Sequence, residues 1–449
     1  MKRKLWMYCA ALLVCQSVAA QDSVKQWTLQ ECLDYALENN IQLQKSRNDY
    51  LSGVEDTKMA KAAHLPSLSV TSSQGFTNYP SASASFSDSH SGSYGFSSRN
   101  SYIGTYGINA GLTLYNGGKL QTAVKRQNLQ NQIDALSVEE SANDIRVAIV
   151  QAYMQALYAR EAVEIAINTA KTSEAQRDRA REMFQAGSIS QVDLAQLESQ
   201  YQSDAYQVVV ARTSLDNYKL QLKQLLELDI TDQIELSVPE INESAVTRVL
   251  PDKAQIYATA TENMPEIKRG ELAVEAADLD IRQARAGFYP SLGLTASVGT
   301  GHMSGNHYES GSQIWNRFNE NVGLSLSIPI FSNRQNRTAT NKARIAAASS
   351  RLDQQDLLKT LLREVETAYL DAVSAQSQYV AANEKERYAR QSYELTDEQF
   401  RVGMKNTVEL ITAQNEWSAA QQEVLQAKYM ALLNMELLNI YQGQPVTTY

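Results

Sequence analysis

The two longest stretches of this chain without proline or glycine include Lys119 to Phe184 and Arg334 to Phe400. Proline breaks a helix interior and glycine weakens it, so each stretch is free to run as one helix. At ~1.5 Å rise per residue each would be a rod of ~100 Å, for which a globular domain has no use. The apolar positions say what the rods are for. Ile145, Ile149, Ala152, Ala156, Ala159, Val163, Ala166 and Ala170 step by four and three in turn. Leu361, Val365, Ala368, Ala372, Ala375, Tyr379 and Ala382 repeat the frame. This is a heptad seam, and its alanines allow close helix approach. Each rod stops at a glycine, Gly187 or Gly403, a natural C′ residue with positive φ, and a new helix begins within a few residues. Two long helical hairpins are expected. A free coiled-coil dimer would use the same seam, but the duplication and the strands between the helices argue against it.

The chain is a duplication. Ala36-Leu37-Glu38-Asn39-Asn40-Ile41-Gln42-Leu43 aligns with Ala260-Thr261-Glu262-Asn263-Met264-Pro265-Glu266-Ile267, and Pro66-Ser67-Leu68 with Pro290-Ser291-Leu292 at the same offset. At a shorter offset, Ala152-Tyr153 matches Ala368-Tyr369, Phe184-Gln185-Ala186-Gly187 matches Phe400-Arg401-Val402-Gly403, and Ser190 to Leu194 matches Asn406 to Leu410. The change of offset places a longer insertion, with the Ser-rich run Ser81 to Ser101, in the first copy. The division expected is a first repeat at 21–230, a linker or equatorial region at 231–250, and a second repeat at 251–449. Each repeat holds a helix, two strands and a long helical hairpin, and the second adds a C-terminal tail. The linker reads as irregular, with short helices. The first helix opens on Thr28-Leu29-Gln30-Glu31, a capping box.

Two stretches per repeat alternate with period two. Tyr102, Gly104, Tyr106, Ile108, Ala110, Leu112 and Leu114 oppose Thr105, Gly107, Asn109, Gly111 and Thr113. Val322, Leu324, Leu326 and Ile328 oppose Gly323, Ser325 and Ser327; Leu292, Leu294, Ala296 and Val298 oppose Gly293, Thr295, Ser297 and Gly299; Leu68 and Val70 begin the first strand. One apolar and one small polar face is the pattern of a membrane β-strand. Aromatic residues stand near the ends: Phe76, Tyr79, Tyr102, Trp315 and Phe318 at one, Tyr115, Phe288, Tyr289 and Phe331 at the other. They suggest two interfacial girdles. An antiparallel sheet on a soluble core shares the alternation, but these helices lack a face to cover it. Four strands are too few to close a barrel with a lumen, and an open edge in lipid leaves backbone groups unpaired. Strands in a membrane would therefore have to be pooled by several chains.

Residues 1–20 have the layout of a secretory signal: Lys2, Arg3 and Lys4, a short apolar stretch, then Val18-Ala19-Ala20. Cys15 invites a lipoprotein reading, although Val14 stands where a small residue is wanted. Losing the signal would leave the chain more negative than its full-length net of −9. Phosphate backbones need a basic patch, so nucleic acid is not expected as a partner. Beyond the signal only Cys32 remains, which excludes an internal disulfide and a thiolate zinc site; it reads as a small buried residue. His302 and His307 fall in the second strand-connecting loop near Glu309, His64 and His90 far apart in the first repeat, and no metal site is expected. No P-loop, nucleophile elbow or zincin motif is present, and neither enzymatic activity nor a cofactor is expected.

The duplicated strand pairs, the hairpins, and the segments Phe184-Gln185-Ala186-Gly187 and Phe400-Arg401-Val402-Gly403 resemble the TolC-type outer-membrane efflux proteins over essentially the whole mature chain. The resemblance implies a mixed α and β fold, with coiled-coil hairpins forming a periplasmic barrel. A transmembrane β-barrel of twelve strands would be shared by three chains, four strands each. It implies a homotrimer in outer-membrane lipid, a periplasmic adaptor (membrane fusion) protein, and an inner-membrane pump of RND or ABC type. The matching hairpin tips for adaptor contact are Gly187, Ser188 and Ile189, and Gly403, Met404 and Lys405. The matching periplasmic entrance is Asp193, Phe400, Lys405, Glu409 and Thr412. Glu409, repeated around a threefold axis, would form a negative ring favouring cations. Asp193 and Glu409 are also spaced to cap helices behind Ser190 and Asn406. Lys405 is placed to pair with Asp193 across neighbouring hairpins. Phe400 stands where the family often has tyrosine, so a hydroxyl latch is missing there. The expected function is the exit duct of a tripartite efflux or type I secretion system. A periplasmic coiled-coil scaffold or adhesin is the alternative.

Overall fold

A computed structural model describes residues 26–78, 100–238, 243–304 and 309–446. The expected signal at 1–20, Cys15, Tyr79, the insertion from Ser81, His90, Pro239 and His307 lie outside the described residues. In chain order the first part holds β1 (Gln26–Trp27), α1 (Leu29–Asn39), α2 (Ile41–Ala62), β2 (Ser67–Asn78), β3 (Asn100–Asn116), α3 (Lys119–Gln185), α4 (Gln191–Leu225), β4 (Glu235–Leu236) and α5 (Glu243–Val246). The second holds α6 (Lys253–Asn263), α7 (Pro265–Ala286), β5 (Ser291–Met303), α8 (Ser310–Asn316), β6 (Asn319–Ser327), α9 (Gln335–Arg401) and α10 (Thr407–Tyr441). Helix lengths recur in pairs. α1 and α6 have 11 residues, α2 and α7 have 22, α3 and α9 have 67, and α4 and α10 have 35.

The helix expected at the start of each copy is two helices, and the break is made by different chemistry. Pro265 has no N–H and forces the preceding residue out of the helical region; Met264 sits at φ −66°, ψ 126°. Asn40 adopts φ −61°, ψ 126° without a proline. Its side-chain oxygen accepts from the Gln42 and Leu43 amides at 2.9 and 3.3 Å, and its Nδ2 donates to the Leu225 carbonyl at 3.1 Å. Thr28 and Glu31 form the expected capping box.

The chain divides into two compact units. One comprises Met1–Ser46, Val138–Ile267 and Leu358–Tyr449, the other Arg47–Ser137 and Lys268–Leu357. The first unit is a helical core. The seam residues Ile149, Ala156, Val365 and Ala372 are fully buried, while Ala170 and Ala368 are half-buried. Cys32 is fully buried, as a small apolar residue would be. The linker is more ordered than its composition suggests. Glu235–Leu236 pairs in parallel with Gln26–Trp27. Tyr153 donates its hydroxyl to the Ser237 and Trp27 carbonyls at 2.8 and 3.2 Å, and Arg160 donates to the Leu236 carbonyl at 2.6 Å.

The second unit carries one antiparallel sheet in the order β2-β3-β5-β6. Its register joins the alternating residues face to face: Val70 opposite Ile108, Ile108 opposite Val298, Leu112 opposite Leu294, Leu294 opposite Leu324. On the other face Thr71 meets Gly107, Asn109 meets Ser297 and Thr295 meets Gly323. Two expectations change. A bulge between Thr113 and Tyr115 removes Leu114 from the register and sets Tyr115 opposite Leu292; one extra residue flips every later side chain. Trp315, expected at a strand end, lies on α8, which packs on β5 through Gln313. That side chain donates to the Met303 carbonyl at 3.1 Å and accepts from its amide at 2.9 Å. His302 is also a strand residue, beside the rings of Tyr102 and Tyr106 at 5.6 and 5.9 Å. No described helix is long and apolar enough to cross a membrane.

Candidate functional site

The two hairpin tips are built alike. Gly187 and Gly403 have φ of 75° and 78°. At each, the C″ amide reaches back five residues: Ser188 to the Met183 carbonyl and Met404 to the Gln399 carbonyl, both at 2.8 Å. The glycine amides bond Phe184 and Phe400 at 2.9 and 3.0 Å. This pair satisfies helix-end carbonyls that would otherwise lack donors. Ser190 and Asn406 are then the N-caps of α4 and α10, and both capping boxes form. Asp193 accepts from the Ser190 amide at 3.2 Å, and Glu409 from the Asn406 amide at 3.1 Å. Gly187, Ser188, Gly403 and Met404 are exposed, whereas Ile189 turns partly into the hairpin core.

The acids differ in their remaining partners. The second oxygen of Asp193 accepts the Thr407 hydroxyl at 2.9 Å, which ties the first hairpin to the second. The Ser190 and then the Thr407 hydroxyl hold the Asp193 carboxyl below its ordinary range. Glu409 pairs with Lys405 one turn earlier at 2.5 Å, and this ammonium, with the Asn406 amide, lowers its pKa. The expected Lys405–Asp193 pair is therefore absent within the chain, because each group has a nearer partner. Phe400, expected at the entrance, faces the hairpin core of its own chain. It is 5% exposed and packs with Ala180, Leu197, Tyr393, Leu410 and Ala413. Thr412 is exposed and returns its hydroxyl to the Val408 carbonyl at 2.8 Å.

Behind the tips lies a polar layer that the sequence reading missed. Gln176 donates to the Tyr393 hydroxyl at 3.1 Å, and Tyr393 stacks on Trp417 at 5.1 Å. Buried Asp204 accepts from Gln200 at 3.0 Å and Gln414 at 3.4 Å. Burial raises its pKa, opposed by the side chains of Ser173 and Gln200. The available signal was Ser173 and Gln176, polar residues interrupting an alanine seam. Arg179 reaches Asp397 at 3.4 Å, and Arg401 holds the other oxygen of Asp397 at 2.8 Å. These contacts are dipoles and ion pairs between helices, not a reactive constellation. Among the described residues no group of three or more His, Cys, Asp or Glu side chains is placed to hold a metal ion.

Comparison with known proteins places this architecture. The family described as "Outer membrane efflux protein" matches residues 32–227 and 256–441, most of both repeats. The alkaline protease secretion protein AprF of Pseudomonas aeruginosa is 24% identical, over 91% of this chain and 82% of its own length. The outer membrane protein TolC of Escherichia coli is 23% identical, over 96% of this chain and 84% of its own. Among solved structures, the CmeC outer membrane channel of Campylobacter jejuni superposes with a TM-score of 0.77 at 20% identity, covering 94% of this chain and 87% of its own. The chain belongs to the outer membrane efflux protein family, and it is a passive outer-membrane channel component of an efflux or secretion system.

Proposed function

We propose that three copies of this chain close one barrel and one duct, each contributing four strands and two helical hairpins. The observation that carries this is the open sheet. β2 pairs only with β3, and β6 only with β5, so each outer edge is unpaired among the described residues. The same strands expose Leu68, Val70, Val322, Leu324 and Leu326 on one face. An apolar face suits lipid, whereas an unpaired edge there costs several kcal/mol per backbone group. Pairing β6 of one copy with β2 of the next removes both edges by a closed ring. The recurring helix lengths support a division into a repeat at 21–230, an equatorial segment at 231–250 and a repeat at 251–449.

The hairpin tips, through exposed Gly187, Ser188, Gly403 and Met404 with Ile189 and Lys405 beside them, meet a periplasmic adaptor. The adaptor couples the duct to an inner-membrane pump of RND or ABC type. The entrance is narrowed by Asp193, Lys405, Glu409 and Thr412, with Phe400 fixing the hairpin core behind them. The Ser190 and Thr407 hydroxyls keep Asp193 charged at neutral pH, and the Lys405 ammonium with the Asn406 amide does so for Glu409; a cation-favouring ring requires charged acids. The relatives' names include a protease secretion protein and an efflux protein. The small polar sheet face has no evident substrate code, so selection falls to the pump.

The test is light scattering of the detergent-solubilised chain, with single-channel recording in planar bilayers. A trimer with cation-selective conductance is expected, and a monomer without conductance sinks the proposal. Glu409→Ala should reduce cation preference; unchanged preference removes the ring and leaves only capping.

A further inference from the structure

The chain is acidic, with a net charge of −9, but its helix–strand junctions are not. Residues 57–65 carry Lys58 and Lys61 and no acid; residues 116–133 carry Lys119, Lys125 and Arg126 and no acid. Residues 281–290 carry Arg282 and Arg285, and residues 328–352 carry Arg334, Arg337, Lys342, Arg344 and Arg351, again without an acid. All four stretches belong to the second unit. They adjoin one end of its sheet, the end at which the long helices leave the strands. Positive stretches at this end of a negative protein mark a surface built for anions.

These stretches contain a formed cleft. Between the end of α7 and the first turns of α9 lies a space of about 380 Å³ lined by Arg285, Arg337, Arg344, Asn341, Phe288 and Tyr289. The Asn336 side chain donates to the Gly287 carbonyl and ties the two walls together. Three other cations of these stretches are paired: Arg126 with Asp280 at 3.0 Å, Arg351 with Asp278 at 2.7 Å and Lys58 with Glu55 at 2.7 Å. Arg285, Arg337 and Arg344 are exposed, and none has an ion-pair partner among the described residues. Phe288 and Tyr289 are about half exposed, at 50% and 56%, and Phe331 is 82% exposed. Guanidinium groups match phosphate oxygens in a forked geometry, and aromatic rings settle at the level of lipid headgroups.

We infer that this cleft binds the phosphate of an anionic glycerophospholipid in the periplasmic leaflet. Arg285, Arg337 and Arg344 hold the phosphate, Asn341 adds hydrogen bonds, and Phe288 and Tyr289 rest against the glycerol and upper acyl chains. The inference rests on the membrane placement of the sheet proposed above. A bound lipid would fix the depth of the barrel and join the leaflet to the base of the helices. A basic residue near an anionic surface is worth about fivefold in binding, so three together are worth about a hundredfold.

The test is native mass spectrometry of the full-length, detergent-solubilised protein, titrated with phosphatidylglycerol, phosphatidylcholine or inorganic phosphate. Phosphatidylglycerol should bind in preference to phosphatidylcholine, and millimolar inorganic phosphate should not displace it. R285Q/R337Q/R344Q should lose about a hundredfold, and Arg337→Gln alone about fivefold. Arg351→Gln, which removes a paired arginine, should change binding less than twofold. Undiminished binding by the triple variant, equal binding of both lipids, or displacement by inorganic phosphate each overturns the inference. If the triple variant fails to assemble, R285K/R337K/R344K keeps the charge and should assemble and retain the lipid preference. If it assembles without that preference, or if neither variant assembles and Arg337→Gln binds as wild type, the arginines are subunit contacts. Wild-type protein that fractionates with the soluble periplasm would instead refute the membrane placement itself.

Discussion

The two hairpin tips share one backbone and differ in what holds their acids. Both stop a 67-residue helix with a positive-φ glycine and start a 35-residue helix with a capping box. Asp193 is held by a hydroxyl from the other hairpin, whereas Glu409 is held by a lysine of its own. The acid of the first tip is therefore held in part by the other hairpin, whereas the acid of the second is held within its own. Thr407, the source of that hydroxyl, is 2% exposed and belongs to the second hairpin. If one hairpin is to move, the Thr407–Asp193 bond breaks at the tip, as do the Gln176–Tyr393, Gln414–Asp204 and Arg179–Asp397 contacts behind it, while the Lys405–Glu409 pair can travel intact.

The largest effects should come from the core that both tips share. Leu197 and Leu410 are 1% and 0% exposed in one cluster, so Leu197→Ala and Leu410→Ala should each destabilise the tips by about 2–5 kcal/mol. Hydrogen exchange should show both hairpins loosening in either variant; loosening confined to the mutated hairpin would mean the cores are separate. Next come Gly187→Ala and Gly403→Ala. An added Cβ meets nothing within 4 Å at either site, so the cost is the left-handed backbone alone, about 1–2 kcal/mol and equal at the two tips. Unequal exchange rates would break the symmetry claimed for the backbone.

Asp204→Asn should act with the opposite sign. Burial raises the pKa of this carboxyl from 3.8, so the folded chain binds its proton more tightly than the unfolded chain. Stability conferred by Asp204 is then greatest below 3.8 and declines as pH rises through the raised value. The amide should stabilise the hairpins at neutral pH by about 1 kcal/mol. It also offers a donor to the Gln414 Oε1, which has no partner among the described residues. Thermal melts of the two proteins should diverge as pH rises; parallel curves would mean the carboxyl is already well solvated.

The smallest effects should be at the acids themselves. Both folded pKa values are lowered, so their contribution is present above the ordinary values of 3.8 and 4.5 and is lost as pH falls through the depressed ones. Thr407→Val should raise only the Asp193 pKa, and Lys405→Met only that of Glu409. The pH dependence of single-channel current reads both, and a variant that shifts both acids would show that the tips are not independent.

Much of this was legible in the residues. Proline- and glycine-free runs set the rods within a residue or two at each end, because helix length needs only the absence of breakers. The capping boxes of Thr28, Ser190 and Asn406 were readable because their partners lie three residues away. The sheet faces followed from strict alternation, until a bulge at Leu114 ended it. Long-range choices were not readable. The packing of Phe400 against Ala180 and Leu197 joins residues about two hundred positions apart. Lys405 was expected beside Asp193 and pairs with Glu409. The β1–β4 pairing joins four residues separated by most of a repeat, and no local pattern announces it.

Local sequence settled the long helices, the four sheet strands, their order and their duplication. Those follow from propensity, period and the chemistry of residues a few positions apart. Tertiary structure alone decided which acid meets which donor, which aromatic ring is buried, and that three arginines from α7 and α9 line one cleft. Such contacts depend on where helices lie relative to each other within a unit, and packing in three dimensions sets that, whereas spacing along the chain does not.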